Sequence, residues 1–282
     1  MDMKHDYLFR AFQAIIFSAL MTRLSIAQPP IDGIKAFHAG MHESFSDVYA
    51  VSDDGFIMCG ITSANGARSA GKVFVVRVDS DLNTVWSNLY GESNTQHAYS
   101  VIETDDGGFL IGGGRDGNVM ALRLNSGGDV VWYRDYNSGN FRAVIELKSD
   151  EFALTGYGGG SSFAYLLNED GDVIWHRDLY PGPNNRLTGL RETEGGIIVG
   201  GSTQEQWYQR FYVWTVKLNI ENGESIWDRL QRNNPAGICY GLVSSAGGGF
   251  ALTGYSGPEP RRGPNTFFLL KINDEGNQSW FR

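Results

Sequence analysis

Three stretches of this sequence gather aromatic rings and arginines. "STQEQWYQR" (202–210) sets Trp207 and Tyr208 beside Arg210, "YSGPEPRRGPN" (255–265) holds Arg261 and Arg262, and "TSANGARSAGK" (62–72) holds Arg68 and Lys72. Flat rings next to guanidinium groups suit stacking on sugar faces, or the anchor positions of a protein contact. The cations add donors for carboxylate or sulfate, so an acidic polysaccharide is a natural ligand. The plain alternative is that Trp207 covers an edge of the fold and that these loops bind nothing.

Other chemistry is thinner. Glycoside hydrolysis needs two carboxylates flanking one bond, and Asp47, Glu103, Glu146 and Glu192 are the acids placed for it. Only Asp47 falls in the middle of its segment; the glutamates fall at segment ends, where salt links are the expected role. "DSDLN" (79–83) alternates acids as calcium loops do, but lacks the Gly and distal Glu of such a loop, and reads as a hairpin turn. His38, His42 and His97 could approach one another as metal ligands, though exposed loop histidines are the plainer reading. No Ser–His–Asp order or phosphate loop is visible. No metal site and no cofactor are expected.

Those residues must be positioned by something, and the chain shows what. "DDGGFLIGGG" (105–114) has relatives in "DDGFIMCG" (53–60), "SDEFALTG" (149–156), "EGGIIVGG" (194–201) and "GGGFALTG" (247–254). Aligned on Phe56, Phe109, Phe152, Ile197 and Phe250, each copy carries a Gly four residues on and, further along, Trp86, Trp132, Trp175, Trp227 or Trp280. Before each Trp come an apolar run and a polar turn. A period of this length without helical patterning is a repeat architecture. Each copy reads as four strands, a to d, with Asp-Gly and Gly-Gly pairs at the hairpin turns. Four-stranded antiparallel sheets repeated about an axis make a β-propeller. The position nine before the aromatic is Asp47, Ser100, Ala143, Thr188 and Gly241, short residues that suit inner strands crowding an axis. The five Trp are expected on outer strands, buried between blades.

The pattern of DGGF, Gly, apolar strand, polar turn and Trp resembles the repeat of secreted and cell-surface β-propellers of bacteria and archaea. It covers residues 45–282. The resemblance implies an all-β propeller of five four-stranded blades, at about 45–90, 91–136, 137–180, 181–230 and 231–282, and it implies little about activity. Copies three and four depart from it, "SDEF" lacking the Gly pair and "EGGI" the Phe. The alternative is a fragment of a larger propeller. Ile34–His38, within the N-terminal segment 28–44, is expected to form an outer strand able to close the ring against the last blade. In a four-stranded meander the b–c and d–a connections share one face, here called upper. Copies one, four and five carry seven extra residues between b and c, so their loops would form one wall on that face if the ring closes.

Residues 1–27 read as a secretory signal: Lys4 and Arg10, the apolar "AFQAIIFSALM", and small residues Ser25 and Ala27 before a cut. The mature chain is expected to be extracellular, with no membrane span. Net charge is −9 with no basic stripe, which argues against a nucleic-acid partner. Cys59 and Cys239 read as two buried thiols rather than a disulfide. Together these readings give a secreted, non-catalytic module binding a glycan or an extracellular protein on its upper face. The alternatives are a five-bladed carbohydrate-active enzyme using Asp47, or a structural component of an extracellular matrix or surface layer.

Overall fold

The computed structural model describes residues 36–39, 41–63, 71–91, 95–206, 210–232, 237–256 and 266–282. All twenty strands lie in one compact unit, His38–Arg282; of the other unit, Met1–Phe37, only Ala36 and Phe37 are described, both outside regular structure. The signal reading of 1–27 therefore lies outside the described residues, which contain no helix.

The strands form five antiparallel meanders. Blade one is β1 (His42–Ala50), β2 (Phe56–Ser63), β3 (Gly71–Val78) and β4 (Thr84–Tyr90). Blade two is β5 (Gln96–Glu103), β6 (Phe109–Arg115), β7 (Asn118–Leu124) and β8 (Val130–Ser138). Blade three is β9 (Asn140–Glu146), β10 (Phe152–Gly158), β11 (Ser161–Leu167) and β12 (Val173–Leu179). Blade four is β13 (Asn184–Thr193), β14 (Gly196–Gln204), β15 (Phe211–Asn219) and β16 (Ser225–Leu230). Blade five is β17 (Gly237–Ser244), β18 (Phe250–Ser256), β19 (Thr266–Ile272) and β20 (Gln278–Phe281). The first strand of each blade packs on the sheet before it, and the first strands of all five line one central cavity.

Two register faults recur in every blade and explain the repeated phrase. The first lies between strands a and b, where one residue of strand a has no partner: Ser46, Tyr99, Arg142, Thr188 and Tyr240. Such a bulge bends the strand and turns a side chain aside. Facing it across the sheet is the Gly of the phrase. A Cβ on Gly113 would sit 1.9 Å from the carbonyl oxygen of His97, and Gly60, Gly156, Gly201 and Gly254 meet Ser44, Asn140, Arg186 and Ile238 in the same way. The glycine is required because the bulged strand presses its carbonyl into that space.

The second fault precedes each Trp. Val85, Val131, Ile174 and Ile226 are the bulged residues, which is why these apolar side chains are exposed. The bulge swings the indole onto the next blade. Trp86 Nε1 donates to Ser126 O at 3.1 Å, Trp132 Nε1 to Glu169 O at 2.8 Å, and Trp175 Nε1 to Ile220 O at 2.8 Å. The receiving turn carries Gly128, Gly171, Gly223 or Gly276, each with positive φ and each too close to the indole for a side chain. The phrase acids join in, Asp53 pairing with Arg77 and Asp106 with Arg123 beneath the same tryptophans. Four apolar clusters fill the four joints between successive blades.

The fifth joint differs. Blades five and one face the common cavity but do not pack as the other neighbours do. Trp280 is 38% exposed, Phe267 91%, and Leu269 is exposed beside them. Ala36–His38 is outside any strand, so the described part of the expected closing strand is absent. Blade five completes its own fourth strand with β20 instead.

Removing a clasped indole should therefore cost far more than removing the free one. Trp132, only 7% exposed, should lose ~3–5 kcal/mol of stability on Trp132→Ala through the cavity it leaves. Trp280→Ala should change stability by about 1 kcal/mol or less. Urea midpoints of the two variants check this; equal losses would mean the fifth joint is packed like the rest.

Candidate functional site

The five first strands enclose a cavity of about 760 Å³, within the size range of ligand pockets. Four of the five bulge residues, Tyr99, Arg142, Thr188 and Tyr240, line it. The bulges thus decide which side chains face the axis.

At the upper end these residues start a ladder of rings and guanidinium groups. Arg142 Cζ lies 3.7 Å from the centre of the Tyr99 ring and 4.9 Å from that of Tyr157. Arg186 Cζ lies 6.0 Å from Tyr157 and 5.5 Å from Phe211. Tyr240 tilts against Tyr255 at 5.8 Å, and its phenol feels both Arg186 and Tyr157. The ladder spans blades two to five. Each cation–π step contributes about 0.5–2 kcal/mol, more as the site is desolvated. His97 leans on Tyr99 at 5.3 Å, and burial followed by the Arg142 charge pushes its pKa down.

The middle of the cavity holds Asp47 with Arg191. Asp47 Oδ2 accepts from Val101 N at 3.0 Å and Oδ1 from Val48 N at 2.9 Å, joining the inner strands of blades one and two. Burial pushes the Asp47 carboxyl up, against those hydrogen bonds, one from Ser100, and the Arg191 charge. Burial likewise lowers Arg191, opposed by Tyr49 and Asp47. Thr188 Oγ1 donates to Cys239 O at 3.1 Å, a second link between inner strands.

At the lower end Glu103 and Glu146 staple blades together. Glu103 accepts from Ser52 N at 2.7 Å and Ser52 Oγ at 2.9 Å, and Glu146 accepts from Asp105 N at 2.6 Å. Salt links were expected; the partners are instead backbone and hydroxyl donors of the preceding blade's a–b turn. Glu192, one residue further along its copy, makes no such bond among the described residues.

Of the residues singled out from sequence, Arg210 is described and exposed, directly before Phe211, the ring at the end of the ladder. Lys72 is exposed at the same end of β3. Arg68, Trp207, Tyr208, Arg261 and Arg262 lie outside the described residues. The b–c connections do differ as their spacing implied: 64–70, 205–210 and 257–265 in blades one, four and five, against the two-residue turns Asp116–Gly117 and Gly159–Gly160. Both short turns hold positive φ at each residue, as tight hairpins demand.

The calcium-like segment is a hairpin turn. Asp79 Oδ1 accepts from Asp81 N at 3.0 Å and Asn83 N at 2.7 Å. His38 lies 3.9 Å from Glu43 and apart from the His97–Tyr99 contact, and no three His, Cys, Asp or Glu side chains converge among the described residues. Cys59 and Cys239 are buried free thiols; burial raises Cys59 strongly and pushes Cys239 up to about 12.

No family model and no curated protein matches the chain. Solved structures do. Drosophila plexin A, in complex with semaphorin 1b, aligns with a TM-score of 0.53 at 10% identity, over 83% of this chain and 52% of that one. The Dos1 propeller aligns with a TM-score of 0.52 at 12% identity, over 85% of this chain and 58% of that one. This chain thus spans little more than half of each. At such identities the likeness concerns the fold, and with five four-stranded antiparallel sheets around a common cavity it makes this chain a β-propeller.

Proposed function

We propose that this chain is a secreted propeller of the DGGF-repeat kind that binds an extracellular glycan, without turning it over, at the upper mouth of its axial cavity. The observation that carries this reading is the ladder from Tyr99 through Arg142, Tyr157 and Arg186 to Phe211, continued by Tyr240 and Tyr255. Aromatic faces stack on the C–H faces of sugars, and guanidinium edges donate to sugar oxygens. Tyr99, Tyr157 and Tyr255 are half-buried and Tyr240 is exposed, so these rings leave faces for a ligand, whereas Phe211 is buried. The sequence-marked Trp207, Tyr208, Arg68, Arg261 and Arg262 belong to b–c connections at the same end, and in this reading they extend the binding surface outward. A protein partner would use the same rings as anchors.

Tyr240 is 59% exposed, so Tyr240→Ala should leave stability within ~1 kcal/mol. On a glycan array the wild-type protein should retain a defined set of saccharides. Their affinity should fall ~10-fold or more in the variant, the cost of ~1.4 kcal/mol for a lost anchor. An array on which the wild type retains no saccharide ends the glycan reading.

A second reading, a five-bladed carbohydrate-active enzyme, rests on Asp47, a cavity carboxyl that burial pushes up. Asp47→Asn should then abolish release of reducing sugar from the retained saccharides while sparing their binding. The same variant tests the ionisation. A carboxyl whose folded pKa is raised supports the fold fully below its ordinary range and loses that support as pH rises through the folded value. The melting temperature of the wild type relative to Asp47→Asn should therefore fall across that window. A difference that stays flat with pH would show that Asp47 ionises normally.

A further inference from the structure

We infer that the glycan held at this mouth carries an anionic group, carboxylate or sulfate, and that Arg142 and Arg186 hold that group. This rests on the glycan reading above and adds the charge of the ligand.

The argument is a balance of charge at the upper end. The described acids there are engaged elsewhere. Asp135 and Asp116 face Arg115 at 3.2 and 3.8 Å, Glu205 pairs with Arg232, Asp178 faces His176 at 3.3 Å, and Glu43 accepts from Ala39 N at 2.9 Å and Met41 N at 2.8 Å. Among the described residues Arg142, Arg186 and Arg210 have no carboxylate partner. On a protein with a net charge of −9, Arg142 and Arg186 thus stand at the mouth as cations with no carboxylate against them among the described residues.

The guanidinium geometry sharpens the point. Arg142 gives its faces to tyrosine rings, and face contacts use none of the N–H groups, which lie in the guanidinium plane. Its Nε is buried and makes no hydrogen bond among the described residues. A buried donor without a partner is unfavourable, so the rest of the guanidinium edge is left to make the site's charge-assisted bonds. A planar oxyanion is the group that meets such an edge with paired, charge-assisted bonds. Deeper in the cavity the acids outnumber the cations: Asp47, Glu103 and Glu146 line it, with Arg191 beside Asp47. An anionic sugar is therefore attracted to the mouth and repelled from the depth, which holds its charged substituent at the level of Arg142 and Arg186.

The test uses an array with matched neutral, carboxylated and sulfated saccharides, followed by titration calorimetry on the best ligand and on its methyl-esterified or desulfated form. Removing the charge should weaken binding ~10-fold or more, and affinity should fall as salt rises. Arg142→Gln and Arg186→Gln should each lose a similar factor for the charged ligand and little for a neutral one, measured at a temperature where each variant, its melting point lowered by the lost ring contacts, is still folded. Whether carboxylated or sulfated members dominate identifies the source of the charge. Equal binding of the neutral form overturns this inference and leaves the glycan reading standing. Binding of the anion that ignores both arginine variants overturns the placement of the site. Retention of no saccharide overturns both readings. If Arg142→Gln does not fold, the neutralised ligand on wild-type protein and the Arg186→Gln variant decide the matter.

Discussion

One contact repeated five times governs this molecule: a strand-a carbonyl pressed onto a strand-b glycine. At Gly113 the space for a methyl group is already taken by His97 O, and four other glycines are in the same position. The contact exists because strand a carries one residue too many. That extra residue cannot join the ladder, so in four of the five blades it turns toward the axis, and the sheet can accommodate the crowding only where its neighbour has no side chain. The bulge, the glycine and the cavity lining are one physical arrangement.

From this follows a division between residues that must stay and residues that can change. The glycine, the buried apolar pairs and the tryptophan clasp hold blades together and tolerate little. The bulged residue is free of ladder pairing, and it is Ser, Tyr, Arg, Thr and Tyr in the five blades. A repeat fold thereby obtains a ring of positions around its axis that vary without disturbing the scaffold. The carboxylates show the same split by depth. Those lower in the cavity serve the joints, as Glu103 does with Ser52 and Glu146 with Asp105, whereas the mouth carries unpaired cations.

Much of the fold was legible because its determinants are residue types at fixed spacing. Phe or Ile, Gly four residues on, and a later Trp mark each blade, and loop lengths marked blades one, four and five. The site was less legible. A bulge leaves no compositional trace, and its five residues share no chemistry. Counting nine back from the aromatic put Asp47, Ser100, Ala143 and Gly241 just after the bulge in four blades, but landed on the bulge itself at Thr188, because the a–b turn of blade four is shorter. Tyr99, Arg142 and Tyr240 were one step away and escaped notice. The signal was in the phrase glycine, which marks the crowded place across the sheet. The long loops rich in Arg and Trp are the louder signal in the sequence, and Arg210, directly before Phe211, is where they meet the ladder.

The tryptophan clasp also gives the row of blades a direction. Every blade but the last hands an indole to its successor, and the receiving turn offers a glycine beneath it. No blade precedes blade one among the described residues, and at the matching turn position it carries Leu82, in the same left-handed conformation but with a full side chain. The indole of Trp280, on blade five, has no such glycine beneath it among the described residues and is 38% exposed. At blade one the space that a glycine leaves open in the other four turns is filled by Leu82, so the five c–d turns are not interchangeable: four seat an indole and the first carries a side chain in its place.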